Sequence, residues 1–194
     1  LIFEKQRKIQ GINMPLIEEN QWGKIVSPGT LEYSNLTSCM TVTCICCDGT
    51  IAGGHAVLIP YAFAYIISQV GELVKGKRVK HICIIGVDTW SNKQQLQQIH
   101  DQMSDYIWQD DVLTSDQEKL YLQYIIDDGI EKAVKAILTA SGATNFYTLN
   151  LDGKNNKVKF VGNDRDRSVL VKVDNSNNKT LYYGNFFSRF RVAF

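Results

Sequence analysis

The sequence predicts an α/β (α+β) fold in a single domain over residues 1–194, with a mixed, mostly antiparallel β-sheet core flanked by helices. Three observations lead there. A β-rich stretch from Met40 to Pro60 is broken by Asp48-Gly49, a pair that favours a hairpin. The period then becomes helical, with Phe63, Ile66, Ile67, Val70 and Val74 on one side and Ser68, Gln69 and Glu72 on the other. Past further helical segments the chain returns to short strands and turns. At 194 residues a domain buries roughly 70% of its extended-chain surface, so neither disulfide nor metal is required to hold it.

Residues 1–30 mix charges with Gly11, Pro15, Gly23, Pro28 and Gly29 and keep no period, which predicts an irregular N-terminal arm. The hairpin follows, and then the amphipathic helix that Gly76 ends. Val79 to Ile85 is nearly continuous in apolar residues, as a buried central strand is. Leu96, Ile99, Met103 and Ile107 mark a second helix. Ser115 with Glu118 forms a capping-box signature opening a third, which Asp127-Asp128-Gly129 kinks or divides. Strands are expected at Phe146–Leu151, Val158–Val161, Val169–Val173 and Leu181–Phe187, separated by Asp152-Gly153 and a polar loop at Asp174–Lys179. Both faces of the core sheet then need helical or sheet cover.

Composition narrows the function classes. Lys and Arg number 21 against 20 Asp and Glu, a formal charge of +1, far from the basic excess of a general nucleic-acid binder. No apolar run approaches the ~20 residues of a membrane span. The five cysteines are odd in number, and Cys39, Cys44, Cys46 and Cys47 crowd together, a pattern that fits free thiols in a reducing compartment. No signal peptide is visible, and the chain, starting at Leu1, reads as a piece of a longer polypeptide.

Two common chemistries fail on context. Gly71, Gly76 and Lys77 have phosphate-loop spacing, but Arg78 occupies the Ser/Thr position and a helix end, not a strand, precedes the second glycine. Cys44, Cys46, Cys47, Cys83, His55 and His81 offer metal-ligating atoms without paired ligand spacing, and strand cysteines are ordinarily core residues. No metal and no cofactor are expected. Cys39 differs: it follows the polar stretch Ser34–Ser38 where loop becomes strand, within reach of a substrate. His55 is the best-placed imidazole to activate its thiol, preceded by Gly53-Gly54, where missing side chains let a substrate backbone approach. A two-residue hairpin at Asp48-Gly49 sets His55 opposite Val42, however, so the pair needs a bulge or twist to meet.

Leu36-Thr37-Ser38-Cys39, the strand, and Gly53-Gly54-His55-Ala56-Val57-Leu58-Ile59-Pro60 together resemble the active-site region of the chemoreceptor glutamine deamidase family CheD. The likeness runs on through the helix at Tyr61–Lys75 and the strand Val79–Ile85, covering about residues 36–86. The same Cys-His arrangement occurs in the cytotoxic necrotizing factor toxins and a related lethal-factor deamidase. Thr37 replaces the CheD glycine, and Tyr33 stands where CheD and the lethal-factor type carry a threonine.

The resemblance implies a protein glutamine deamidase, converting Gln to Glu, with Cys39 as nucleophile and His55 as base. Tyr33, Ser34 or Thr37, or a backbone carbonyl, is expected to orient the imidazole. The partner implied is a protein bearing an exposed Gln, not nucleic acid or membrane. The place of action implied is a reducing target-cell cytosol reached by a secreted bacterial effector or toxin, or else the bacterial cytoplasm. A CheD-type chemoreceptor deamidase, a Cys peptidase or transglutaminase, and a binding module without catalysis are the alternatives.

Overall fold

The computed structural model describes residues 8–9, 16–57, 59–87, 92–104, 113, 115–139, 142–143, 145–151, 156–175 and 189–193. Its strands are β1 (Lys8–Ile9), β2 (Leu16–Ile17), β3 (Gln21–Val26), β4 (Gly29–Leu36), β5 (Met40–Cys46), β6 (Thr50–Ala56), β7 (Val79–Val87), β8 (Asn145–Leu151), β9 (Asn156–Asn163), β10 (Ser168–Asn175) and β11 (Arg189–Ala193). Its helices, among these residues, are α1 (Pro60–Leu73), α2 (Lys93–Ser104), α3 (Asp116–Asp128) and α4 (Ile130–Thr139).

The strands form two mixed sheets, a 6-stranded one in the order β1-β3-β6-β5-β7-β8 and a 5-stranded one in the order β11-β10-β9-β4-β2. Neighbours are antiparallel except at β1–β3, β2–β4 and β7–β8. Parallel β7 and β8 need a long crossover between them, and α2, α3 and α4 lie in that connection. This is the mixed α+β class that the sequence predicts.

Strands β5 and β6 are buried along their whole length, so both faces of the larger sheet must be covered. Helix α1 covers one. Pro60 opens it, its fixed φ suited to a first helical turn, and Phe63, Ile66, Ile67 and Val70 are buried. Gly54 makes room for this packing: a Cβ there would lie 2.4 Å from Ile66 Cγ2. The second sheet covers the other face. Tyr33 of β4 reaches across to β5, its hydroxyl 2.7 Å from Thr43 Oγ1 and donating to Val42 O at 3.4 Å. Its ring meets Phe160 of β9 edge-on, with centroids 6.1 Å apart.

The third expected helix has its capping box. Glu118 N donates to Ser115 Oγ at 3.1 Å, and Ser115 N donates to Glu118 Oε2 at 3.2 Å. Gly129, at φ 81°, divides α3 from α4. The expected N-terminal arm is corrected. Within 1–30, β3 pairs with β6 from Gln21↔His55 to Val26↔Thr50, and Trp22 and Ile25 are buried. The charged and glycine-bearing positions Gly23 and Lys24 hide the alternation that a strand normally displays. Strand β11 was not expected. Ile107, Asp152-Gly153, the strand Leu181–Phe187 and residues 176–179 of the polar loop lie outside the described residues.

Among the described glycines, Gly53 has the least room: a Cβ built on it would lie 1.8 Å from the Tyr33 hydroxyl and 2.8 Å from Val42 O. Gly53→Ala should therefore cost about 2–3 kcal/mol by overpacking. Removing the obstructing oxygen in Tyr33→Phe should make the double variant more stable than the sum of the singles allows. Denaturant melts of the four proteins check this, and strict additivity would show that the hydroxyl and the Cβ do not compete for the space.

Candidate active site

The position of His55 follows from a turn. The hairpin closes through Cys47-Asp48-Gly49, with Gly49 N donating to Cys46 O at 3.1 Å and Gly49 at φ 84°. This connection is one residue longer than the Asp48-Gly49 pair alone. The pairing therefore runs Met40↔Ala56, Thr41↔His55 and Val42↔Gly54, which corrects the expected His55–Val42 register. Because side chains alternate, a one-residue slip reverses the face of every residue. His55 consequently shares a face with Thr41, toward the second sheet, and Cys39 stands two residues before Thr41, immediately before β5 begins. Cys39 and His55 thus lie near the same end of the β5–β6 pair.

The turn between β2 and β3 closes over this corner. Asn20, at φ 59°, donates from its N–H to His55 O at 2.7 Å, and its Oδ1 accepts from Val57 N at 3.4 Å. Glu19 Oε1 accepts from Cys39 Sγ at 3.2 Å. Ile17 O lies 3.3 Å from His55 Nδ1. A carbonyl only accepts, so Nδ1 carries the proton and Nε2 the lone pair. Nε2 is buried and has no hydrogen-bond partner. No hydrogen bond joins the thiol to the imidazole in this conformation.

Burial sets the electrostatics. Cys39 is 1% exposed and His55 0%, although Thr37 and Ser38 beside them are exposed. The expectation of an accessible thiol is thus corrected: the Glu18–Asn20 turn covers it. Burial first, and then the Glu19 carboxylate, push the Cys39 thiol up to about 12. Burial lowers the His55 imidazole to about 4, against the opposing pull of the Ile17 carbonyl and Glu19. The pair is neutral as it stands.

Of the three candidate orienting residues, none hydrogen-bonds the imidazole. Tyr33 sets its ring perpendicular to that of His55, with centroids 6.2 Å apart, while its hydroxyl goes to β5. Ser34 alternates to the opposite side of β4, half-buried, and Thr37 is exposed. The Ile17 carbonyl takes the orienting position. No side-chain pattern could have disclosed it, because any residue supplies a carbonyl. Glu19 was equally hidden, lying in a segment without periodicity. Gly53-Gly54, expected to admit a substrate backbone, instead admit Tyr33 and Ile66. Cys44, Cys46 and Cys83 are buried in the sheet core, and all five cysteines are free. Among the described residues no three His, Cys, Asp or Glu side chains converge as a metal site.

No protein-family model matches the chain, and no curated protein is significantly similar to it. Among solved structures, the Bacillus licheniformis hypothetical protein YfiH is a distant neighbour at 11% identity and a TM-score of 0.36, over 69% of this chain. The match covers 51%, about half, of that protein's length. No described helix is long and apolar enough to cross a membrane.

The buried imidazole carries a pH signature. Between its free value of 6.5 and its folded value of about 4, the unfolded chain binds a proton that the folded chain does not. Stability is therefore complete above pH 6.5 and falls as pH drops toward 4, by about 3 kcal/mol from this one group. His55→Gln should flatten that part of the profile, whatever its stability at neutral pH. Denaturant midpoints at intervals across the window measure it, and an unchanged slope in the variant would show that His55 titrates normally.

Proposed function

We propose that the protein is a Cys-His glutamine deamidase of the CheD and cytotoxic necrotizing factor type, acting on an exposed Gln of another protein. One observation carries the reading: Cys39 and His55, the two residues of the motif, both meet the segment that joins β2 to β3, Cys39 Sγ at Glu19 and His55 Nδ1 at Ile17 O, which fixes the imidazole proton on Nδ1. That tautomer leaves Nε2 as the base.

The chemistry then proceeds in two halves. Once Glu19 releases the thiol, Nε2 takes the Sγ proton and the thiolate bonds to the carboxamide carbon. Backbone N–H groups around Cys39 hold the oxyanion. The C–N bond breaks as the imidazolium returns the proton to departing ammonia, leaving a thioester. Water attacks it, giving its proton to Nε2, and the C–S bond breaks to yield Glu and the free thiol. No step requires a metal or an organic cofactor. Five free thiols suit a reducing cytosol, where an effector or toxin domain would meet its target.

The burial and neutrality of both side chains favour a second reading, in which Cys39 and His55 are core residues of a binding module. Incubation with host and bacterial lysates, followed by mass spectrometry for Gln-to-Glu conversion, separates the two. Conversion should appear with the wild type and with Cys46→Ser, which loses only stability, and vanish with Cys39→Ala. Equal conversion by Cys39→Ala would remove the thiol from the mechanism, and no conversion by any of them favours the binding module.

A further inference from the structure

Glu19 is the one acidic side chain that hydrogen-bonds the candidate nucleophile among the described residues, and it is exposed where Cys39 is buried. It lies between the buried thiol and solvent. Its backbone is held in place by the neighbouring bonds: Gln21 N to Glu18 O at 3.1 Å, and Asn20 N to His55 O at 2.7 Å. Its carboxylate can therefore turn away from the thiol without the backbone moving. The lone pair of His55 Nε2 is buried and unpartnered, and Glu19 is near enough for its charge to act on the imidazole. A ligand entering here meets acceptors: a carboxylate and a ring nitrogen.

A primary carboxamide fits that lining. It brings two N–H donors, one of which replaces the thiol hydrogen on Glu19, whereas a carboxylate brings only acceptors and a second negative charge. We propose that Glu19 is the specificity residue of this site, its carboxylate accepting the N–H of an incoming carboxamide and repelling a carboxylate from the same position. The inference deepens the deamidase reading and rests on it. Substrate Gln is admitted by charge and hydrogen bonding, and product Glu is expelled by the same group. The step changes no bond at Glu19, which positions the leaving nitrogen and stays outside the covalent chemistry.

Iodoacetamide and iodoacetate are near-isosteric probes of that preference, one a carboxamide and one a carboxylate. Both alkylate a thiolate with loss of iodide, so the ratio of their rates at Cys39 cancels the thiolate population. The unfolded protein supplies the reference ratio, and peptide mapping isolates Cys39 from the other thiols. Like charges a few ångströms apart at a partly hydrated site should raise the wild-type ratio on the order of tenfold above that reference. Glu19→Gln should return it to the reference, while Glu18→Gln, an exposed neighbour of equal charge, should leave it high. An unchanged ratio in Glu19→Gln, an equal fall in Glu18→Gln, or a folded Cys39 inert to both reagents each overturns the proposal. The readout needs no turnover: a Glu19-dependent ratio without Gln conversion in lysates would sink deamidation alone, and the reverse would sink only the role of Glu19.

Discussion

A single glycine in the left-handed region fixes which side of the sheet His55 occupies. Gly49 at φ 84° lets the hairpin close through Cys47–Gly49 and pair Thr41 with His55. Everything at the candidate site inherits that register. The imidazole faces the second sheet and not α1, and the segment between β2 and β3 can reach it. A tighter two-residue connection would send His55 into the space Gly54 now leaves for Ile66 and separate it from the cysteine.

The inter-sheet layer that receives His55 is unusually polar for a core. Thr41, Thr43 and His55 are all at or near 0% exposure, with Tyr33 among them. Buried polar groups must be paired or they destabilise the fold. Most are paired across strands: Thr41 Oγ1 donates to Ile85 O at 3.0 Å, and Tyr33 shares its hydroxyl with Thr43. Nε2 of His55 has no such partner. A pure packing role gains nothing from an imidazole there, because an apolar side chain of like size avoids the desolvation that lowers its pKa to about 4. An unsatisfied acceptor is, however, what the general base of the proposed deamidase requires.

The sequence disclosed what is periodic and local. The hairpin, α1, the buried strand β7 and the Ser115–Glu118 cap follow from alternation, helical spacing and turn chemistry, each confined to a short window. It hid what depends on distant segments. Strand β3 displays Gly23 and Lys24 where alternation was sought, and it is a strand because β6 offers it a partner. The second sheet closes by pairing β4 with β9, over a hundred residues away in the chain, which no local pattern encodes. At the site, Cys39 and His55 were legible through a motif, but their register was not, because Asp48-Gly49 is compatible with both hairpin closures. The Ile17 carbonyl and Glu19 act through position alone.

The resting geometry also constrains how such a site can work. A thiolate–imidazolium pair forms spontaneously only when the thiol is the stronger acid, and here the order is reversed, with Cys39 near 12 and His55 near 4. Both shifts arise chiefly from burial, so in the proposed deamidase they would relax together once the β2–β3 turn lifted and polar substrate groups entered. The free energy for that opening has to come from contacts made with the substrate. A small amide offers few such contacts, whereas a folded protein can press on the exposed turn and the adjacent loops while inserting one side chain. In the proposed reaction, binding energy distant from the reacting carbon would then be converted into thiolate formation. A closed, neutral pair is therefore consistent with an enzyme that reacts with one glutamine on a macromolecular surface and leaves free glutamine untouched.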